Sequence, residues 1–354
     1  MRSNETLWKV LTPLLSVLLA FIVGGLIIAG IGKNPLEAYG FLFKGAFGSK
    51  PALASTLVKS TPLIFTGLSA TFAYRCGIFN LGAEGQLIMG SIGSIVVATI
   101  LPKAVSLPGP VLFLISLLAG IIMGGLWGSI PGILKVYRGL NELIVTILLN
   151  YIATLFMSYL INGPIMEGNI PQSGAVPNEL KLPIVSAGMR LHYGFFIALL
   201  LGVLVYYFLF QTANGLKLRS VGLNRSAAKV FGINVNRFLL ISFIVSGAIA
   251  GFGGSIEVHG NAFRLMPGYA KGFGFDGLAI ALIGQLNPFG TIIAACFYGA
   301  LRTGANMMQV ASGIPTSVVS IIQALIIIFV IAGSSITNLP RIKALLQKSL
   351  KEVA

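Results

Sequence analysis

Charged side chains are scarce in this sequence. Only 9% of its 354 residues are Asp, Glu, Lys or Arg, and the acidic residues number 9. Soluble domains carry roughly 25% charged residues, so this composition argues against an ordinary soluble protein. Because hydrophobic residues make up 56% of the chain, the sequence predicts an integral membrane protein.

Residues that bind metals, form disulfides or act in catalysis are also few. The chain has 2 cysteines and 2 histidines, and these four residues lie in no metal-ligand or disulfide pattern: Cys76, Cys296, His192 and His259. No Ser-His-Asp pattern stands out, and the phosphate-binding pattern G-x-x-x-x-G-K-[ST] is missing. We therefore expect no enzymatic activity, metal or cofactor in this chain, and any ATP hydrolysis would belong to a separate subunit.

Long apolar runs supply the positive signal. A helix needs about 20 mostly apolar residues to cross a bilayer, and several uncharged runs approach that length. The sequence predicts an all-α, polytopic membrane helical bundle of about ten transmembrane helices. The predicted helices are residues 11–31, 52–74, 83–101, 110–134, 139–161, 193–211, 237–258, 276–286, 289–309 and 315–333.

The charge distribution predicts how these helices are oriented. The net charge is +15, and loops that carry excess Lys and Arg usually face the cytoplasm. Residues 211–237 contain five basic and no acidic residues, and the tail 336–354 is also basic, so we place both inside. Residues 162–192 have balanced charge and several prolines, which indicates an extracellular loop. Both termini are then cytoplasmic, and binding of nucleic acid is not needed to explain the charge.

The same topology divides one transmembrane domain, residues 1–354, into two halves, 11–161 and 193–335. Five predicted helices lie in each half, which would allow an inverted five-helix repeat of the kind found in transporters. Two segments echo each other: "GIFNLGAEGQ" from Gly77 and "GFGFDGLAIALIGQ" from Gly272. Each places a glycine-rich interruption and a polar residue at the start of a helix, although shared membrane composition is an alternative explanation.

Polar residues inside the predicted spans are the candidates for a substrate pathway, because such residues need partners or water. Some have simpler explanations: a residue near a helix start caps it or complements its dipole, and polar residues spaced four apart along the fifth helix form interhelical hydrogen bonds. Both interpretations stay open. The pathway candidates are Asn80, Glu84, Gln86, Asn141, Glu142, Asn150, Asp276 and Gln285.

Glycines recur every four residues in the fourth predicted helix, and small residues follow the same spacing in the seventh. This spacing lets helix backbones approach closely, so we interpret it as packing. The positions are Gly120, Gly124, Gly128 and Gly132 in the fourth helix, and Ser246, Gly247, Ala250, Gly251 and Gly254 in the seventh.

Three motifs resemble a known family. "FAYRCGIFNLGAEGQLIMG" from Phe72, "GLNELIVTILLNYIA" from Gly139 and "GLKLRSVGLNRSAAKVFGINV" from Gly215 are similar to permease subunits of bacterial ABC importers for nucleosides and simple sugars. The likeness covers roughly residues 60–335. The broader group includes ribose and branched-chain amino acid permeases, and the forms of the first two motifs look like the nucleoside branch.

The resemblance implies a bacterial cell-membrane importer with several partners: an ATP-binding subunit, a second homologous permease, an extracellular substrate-binding lipoprotein, membrane lipids, and a nucleoside or sugar as substrate. It also implies that residues 216–230 form a cytoplasmic helix that docks on the ATPase. The residues that match this coupling role are Gly215, Leu218, Arg219, Gly222, Asn224, Ala227, Ala228 and Gly232.

Other functions remain open at this point. Ribose or another simple sugar is the main alternative substrate. An ion-coupled secondary transporter would use Glu84, Glu142 or Asp276 to bind protons or sodium. A membrane scaffold without transport activity is disfavoured, because polar residues within spans are costly.

Overall fold

A computed structural model describes the backbone of residues 2–185 and 188–337, and side chains from residue 12 to 333 apart from 186 and 187. Within these ranges all regular elements are helical, with two isolated bridges in the loop between residues 162 and 193. The predicted all-α class is confirmed. Of the predicted tail 336–354, residues 338–354 lie outside the described residues.

Thirteen α-helices occupy the described chain, and each of the ten predicted helices has a counterpart. Pro35–Phe47 forms a helix that the sequence reasoning missed, although Asn34 accepts a hydrogen bond from the Leu36 amide and Pro35 starts the helix, both ordinary start signals. The helices are α1 Arg2–Gly30, α2 Pro35–Phe47, α3 Lys50–Arg75, α4 Ala83–Ala104, α5 Gly109–Arg138, α6 Glu142–Ile161, α7 Gly194–Gln211, α8 Ala213–Leu223, α9 Arg225–Val230, α10 Val235–Glu257, α11 Phe273–Ile283, α12 Pro288–Ser312 and α13 Ser317–Thr337.

Six of the described helices are long and apolar enough to cross a membrane by length and composition. They are α1, α4, α5, α6, α7 and α10, the last taken together with the π-helical turn Val258–Ala262 that follows it. α11 and the segment Ser317–Gly333 are shorter apolar helices. α3 contains many Ser and Thr residues, and it is buried over most of its length.

The chain forms two compact units. One consists of the described parts of residues 1–49 and 301–354, where α1 packs against α13. In this unit the Tyr39 hydroxyl donates to the Phe21 carbonyl at 2.6 Å, which ties α2 to α1. The other unit, residues 50–300, contains the three motifs of the resemblance and all the candidate site residues.

α4, α5 and α10 form the centre of the larger unit, and they meet through glycines. A Cβ added to Gly90 of α4 would overlap the backbone of Gly251 on α10. One added to Gly124 of α5 would overlap the carbonyl oxygen of Gly247, and one added to Gly251 would meet the Gly120 carbonyl. The predicted close packing of small residues is thus confirmed, and it brings three backbones into direct contact.

Candidate functional site

The chain between α3 and α4, residues 76–82, is here called the first break. Gly77 has φ +72°, a conformation in which glycine avoids the strain of other residues. Gly82 is the N-cap of α4, so Asn80 does not occupy the cap position. Instead, the Asn80 Oδ1 atom accepts a hydrogen bond from the Gly82 amide at 2.9 Å and so shapes the turn that leads into the helix.

Two buried amides fix this turn to the bundle. Asn80 and Gln86 are 2% and 1% exposed, and they bond to each other in both directions: Asn80 Nδ2 donates to Gln86 Oε1 at 3.0 Å, and Gln86 Nε2 donates to Asn80 Oδ1 at 3.2 Å. Asn80 Nδ2 also donates to the Ser246 hydroxyl on α10 at 2.9 Å. The network joins the first break to α4 and α10, and its members satisfy one another rather than facing an open space.

Asn150 adds a third helix to this arrangement. Its Oδ1 atom accepts from the Gly85 amide at 2.8 Å, and its Nδ2 atom donates to the Leu81 carbonyl at 2.8 Å. Both ends of one side chain thereby bind unpaired backbone groups at the start of α4. The polar residues spaced four apart along α6 differ in exposure, because Thr146 and Asn150 are buried while Thr154 is exposed.

The two segments that echo each other in sequence lie in contact. The Glu84 Oε2 atom accepts a hydrogen bond from the amide of Gly272, the N-cap of α11, at 3.1 Å. Gly274 packs so closely on the Glu84 backbone that a side chain there would meet it. Glu84 therefore lies in the first turn of α4 and beside the start of α11, where both helix dipoles favour a negative charge.

The remaining pathway candidates lie at or beside the ends of helices. Glu142 forms an ion pair with Lys135, Nζ to Oε2 2.6 Å, across the turn between α5 and α6. Asn141 caps α6 by accepting from the Leu143 amide at 2.9 Å. Asp276 is partly buried in the first turn of α11, and Gln285 is exposed with φ +54° in the turn between α11 and α12.

Residues 212–232, here called the coupling segment, form two short helices rather than the single helix expected over 216–230. The Thr212 hydroxyl accepts from the Gly215 amide at 3.0 Å and caps α8. Asn224 separates the helices because its backbone is extended, and its side chain accepts from the Ala227 amide at 3.0 Å to start α9. Gly232, at φ +75°, follows α9.

Burial separates the residues of this segment into two sets. Leu218, Val221 and Ala228 are at most 3% exposed, so they pack against the chain itself and are not available to a partner. Gly215 packs against the carbonyls at the end of α7. Four large apolar residues instead point outward, with exposed fractions of 58%, 88%, 86% and 82%: Leu216, Leu223, Val230 and Phe231.

The coupling segment also lies directly on the first break. A Cβ at Gly222 would overlap the Arg75 carbonyl and approach the Gly77 amide, so these backbones touch. Arg225 Nη2 donates to the Gly77 carbonyl at 3.0 Å. The third sequence motif therefore contacts the first.

The two histidines, which seemed isolated in the sequence, hold the other end of the unit together. His259 Nδ1 donates to the Leu180 carbonyl at 2.7 Å, and Nε2 then accepts from the hydroxyls of Ser94 and Ser116 at 3.0 and 2.8 Å. One ring thereby joins α4, α5, the end of α10 and the 162–193 loop. No signal in the sequence pairs these residues, because their separations along the chain are large.

The 162–193 loop is held down by backbone hydrogen bonds as well. The amides of Ser173, Val176 and Leu182 donate to the carbonyls of Leu265, Phe263 and His259. His192 ends the loop with no exposed surface, and its Nδ1 atom accepts from the Gly194 amide at 3.2 Å. Burial lowers the pKa of His192 to about 4, so the ring is neutral at ordinary pH.

Among the described residues, no group of three or more His, Cys, Asp or Glu side chains could hold a metal ion. The chemistry of the site is that of amides, hydroxyls and backbone groups. Such groups can position helices and contact an uncharged polar molecule.

Comparison with known proteins gives the chain its context. The family described as "Branched-chain amino acid transport system / permease component" matches residues 52–331. The "Guanosine ABC transporter permease protein NupP" of Bacillus subtilis is 36% identical over 94% of this chain and 96% of its own length. The "Glucose ABC transporter permease protein TsgB13" of Haloferax volcanii is 35% identical over 91% of this chain and 87% of its own. The "Nucleoside ABC transporter permease protein NupB" of Lactococcus lactis subsp. cremoris is 33% identical over 97% of this chain and 96% of its own.

Proposed function

The chain belongs to the family of branched-chain amino acid transport system permease components, and from this premise we propose that it is the permease subunit of an ATP-driven importer whose substrate is a nucleoside. The observation that carries the substrate class is the similarity to NupP and NupB, named for guanosine and nucleoside transport, over nearly the whole chain. The chain itself is a multi-pass transport component of a membrane and not an enzyme.

A simple sugar is the second candidate substrate. The glucose permease TsgB13 is 35% identical to this chain, only slightly below the value for NupP. Nucleosides and simple sugars both carry several sugar hydroxyl groups, which amide and hydroxyl side chains can bind.

We propose the following arrangement in the cell. The chain lies in the bacterial cytoplasmic membrane with both termini inside, and the 162–193 loop faces outward, where a substrate-binding lipoprotein would deliver its ligand. A second homologous permease completes the pathway. An ATP-binding subunit docks on the coupling segment through its outward-facing apolar residues, Leu216, Leu223, Val230 and Phe231.

The candidate site residues have two proposed roles. Asn80, Gln86 and Asn150 hold the first break in position beside the pathway, since their amides bond to one another, to Ser246 and to backbone groups. Glu84 is a structural acid at the meeting of α4 and α11. The other candidates for the pathway are Glu142, Asn141, Asp276 and Gln285.

Uptake by the reconstituted complex tests this proposal. The chain, its genomic partner permease, ATPase and lipoprotein are placed in proteoliposomes, and entry of labelled guanosine, uridine, ribose and glucose is measured with and without internal ATP. We expect ATP-dependent entry of a nucleoside, blocked by excess unlabelled nucleoside and not by glucose. Entry of glucose alone would establish the sugar function. Uptake that runs on a proton or sodium gradient without ATP would refute the ATP-driven importer.

A further inference from the structure

Three side chains from different helices form a stack beside the coupling segment. The guanidinium carbon of Arg75, at the end of α3, lies 5.2 Å from the ring centre of Phe210 at the end of α7. That of Arg219 on α8 lies 4.8 Å from the same ring. The Arg219 Nε atom is buried without a hydrogen-bond partner, so the ring is the contact that holds this part of the side chain.

Arg75 extends from this stack to the turn between α11 and α12, residues 284–287. Its Nε atom donates to the Leu286 carbonyl at 2.9 Å, and its Nη2 atom donates to the Gln285 carbonyl at 3.4 Å. A planar guanidinium can serve two neighbouring acceptors, whereas a lysine ammonium cannot present the same fork. The side chain therefore links the coupling segment, through Phe210, to a turn that is remote in sequence.

The turn that Arg75 holds is strained. Gln285 and Leu286 have φ of +54° and +56°, values that residues other than glycine rarely adopt. Such conformations persist where the surrounding structure holds them, and they relax when a contact is lost. A movement that withdraws Arg75 would therefore free this turn to change its conformation.

A second arginine connects the coupling segment to the first break. Arg225 of α9 donates to the Gly77 carbonyl at 3.0 Å, while Gly222 lies against the same backbone. The two helix interruptions, residues 76–82 and residues 284–287, are thus each bound by one arginine.

We infer that Arg225 and Arg75 are positioning residues that carry movement of the coupling segment to the two interruptions. Arg225 acts directly on the first break, and Arg75 acts through Phe210 and Arg219 on the α11–α12 turn. Docking or release of the ATPase shifts α8 and α9, and the two arginines shift the starts of α4 and α12 with them. The inference rests on the proposed function, because it requires an ATPase at the coupling segment.

The experiment uses the complete complex in proteoliposomes and measures substrate taken up per ATP hydrolysed. The test variants are Arg75→Gln, Arg75→Lys and Arg225→Gln. Two controls remove the same charge from exposed basic residues: Lys229→Gln on the same short helix as Arg225, and Arg138→Gln at the end of α5. Phe210→Leu removes the ring from the stack, and Phe210→Trp keeps an aromatic face.

We expect Arg75→Gln and Arg225→Gln to lower uptake per ATP by roughly fivefold to tenfold, the lower part of the range of ordinary coupling between sites. Arg75→Lys should resemble Arg75→Gln. Lysine keeps the positive charge, but it lacks the forked pair of donors that binds the Gln285 and Leu286 carbonyls. Phe210→Leu should show the same defect and Phe210→Trp should largely restore the ratio. Lys229→Gln and Arg138→Gln should match the wild type.

A second measurement reports the turn itself. A cysteine introduced at the exposed Gln285 is labelled with and without ATP, and the reactivity of the native thiols is subtracted. ATP should change the labelling rate in the otherwise unaltered complex and in the Arg138→Gln complex, but not in the Arg75→Gln or Arg75→Lys complexes. If Arg75→Gln fails to assemble, Arg75→Lys and Phe210→Leu carry the same comparison.

The inference is overturned if the arginine variants keep the wild-type uptake per ATP, or if they lose no more of it than the two controls. It is also overturned if ATP changes labelling at position 285 equally with and without the Arg75 side chain. Failure of the wild-type complex to take up nucleoside or sugar with ATP is a different result, and it would refute the proposed function instead.

Discussion

The two interruptions of the larger unit are built in opposite ways. The first break, residues 76–82, uses Gly77 for its left-handed position and is held by buried amides that bond to one another and to two neighbouring helices. The α11–α12 turn has Gln285 and Leu286 in left-handed positions, and Gln285 is exposed. Its glycine and its internal hydrogen bonds make the first break stiff, so it would shift as one piece with the start of α4. The α11–α12 turn is strained and held by one arginine, so it can change its own conformation when that contact is lost.

Replacing an amide in each interruption should give the largest contrast. Asn80→Leu leaves the Gly82 amide, the Gln86 side chain and the Ser246 hydroxyl short of a partner, and each unsatisfied buried group costs about 1–3 kcal/mol. Gln285→Leu changes an exposed side chain and should cost little. Thermal unfolding of the purified complex in detergent measures both. Equal unfolding temperatures for the two variants would show that the first break is not the more rigid joint.

Replacing glycine in the first break, and introducing glycine in the α11–α12 turn, should give a smaller difference in stability. Gly77→Ala places a Cβ in a left-handed conformation, 3.2 Å from the Gly222 Cα, and should lower stability by about 1–2 kcal/mol. Gln285→Gly removes that strain but adds freedom to the unfolded chain, so the two effects should nearly cancel. The same thermal unfolding assay measures both variants. If Gln285→Gly lowers stability as much as Gly77→Ala does, the backbone at Gln285 is not strained.

Acidification should affect neither interruption directly, because neither the amide network nor the turn at residues 284–287 contains a group that titrates in acid. His192, at the end of the 162–193 loop, has its pKa lowered from 6.5 to about 4 by burial. The folded state favours the neutral ring, so the stability it supports is complete above pH about 6.5 and is lost as the pH falls towards about 4. Unfolding temperatures measured across this window should fall less in His192→Gln than in the wild type. An identical fall in both would exclude His192 as the cause.

The smallest expected effect is that of Glu84→Gln, where α4 and α11 meet. The glutamine keeps an oxygen that can accept from the Gly272 amide but loses the charge that the two helix dipoles favour, worth about 0.3–1 kcal/mol at an exposed end. ATP-dependent uptake should fall modestly and remain measurable, while Glu84→Leu should do more harm. Loss of all uptake in Glu84→Gln, together with wild-type uptake that runs on a proton gradient without ATP, would instead indicate a proton-coupled role for this carboxylate.

Much of the helical framework could be predicted, because apolar runs and glycine spacing act locally. The ten predicted helices each have a counterpart, and the glycine stripe of α5 packs on α10 as the spacing indicated. α2 was missed because its apolar residues do not form a run long enough to span a membrane. The single helix over residues 216–230 was implied by the family resemblance, and the observed interruption depends on the extended backbone of a single residue, Asn224.

The partners within the site could not be predicted in the same way. Asn80, Gln86 and Asn150 stood out as polar residues in apolar surroundings, but their hydrogen bonds join residues up to 166 positions apart. His259 was set aside for its isolation in the sequence, yet its ring joins four parts of the fold. Arg75 lies within the first motif, but no residue near it in the sequence indicates its role, which emerges from contacts with residues more than 200 positions away.

The glycine contact among α4, α5 and α10 has a consequence for how the gene can vary. Any single-base change that replaces a glycine codon with that of another amino acid adds at least a Cβ, and at Gly90, Gly124 and Gly251 that atom would enter a neighbouring backbone. Glycine has no smaller substitute, and the residues that these three glycines contact are glycines too. A side chain added at one of them therefore cannot be accommodated by a smaller residue on the facing helix. Codons for the outward-facing apolar residues of the same helices can exchange Leu, Ile, Val and Phe by single bases. The inherited variation of this protein should therefore accumulate on its outer surface, while the meeting line of three helices stays without side chains.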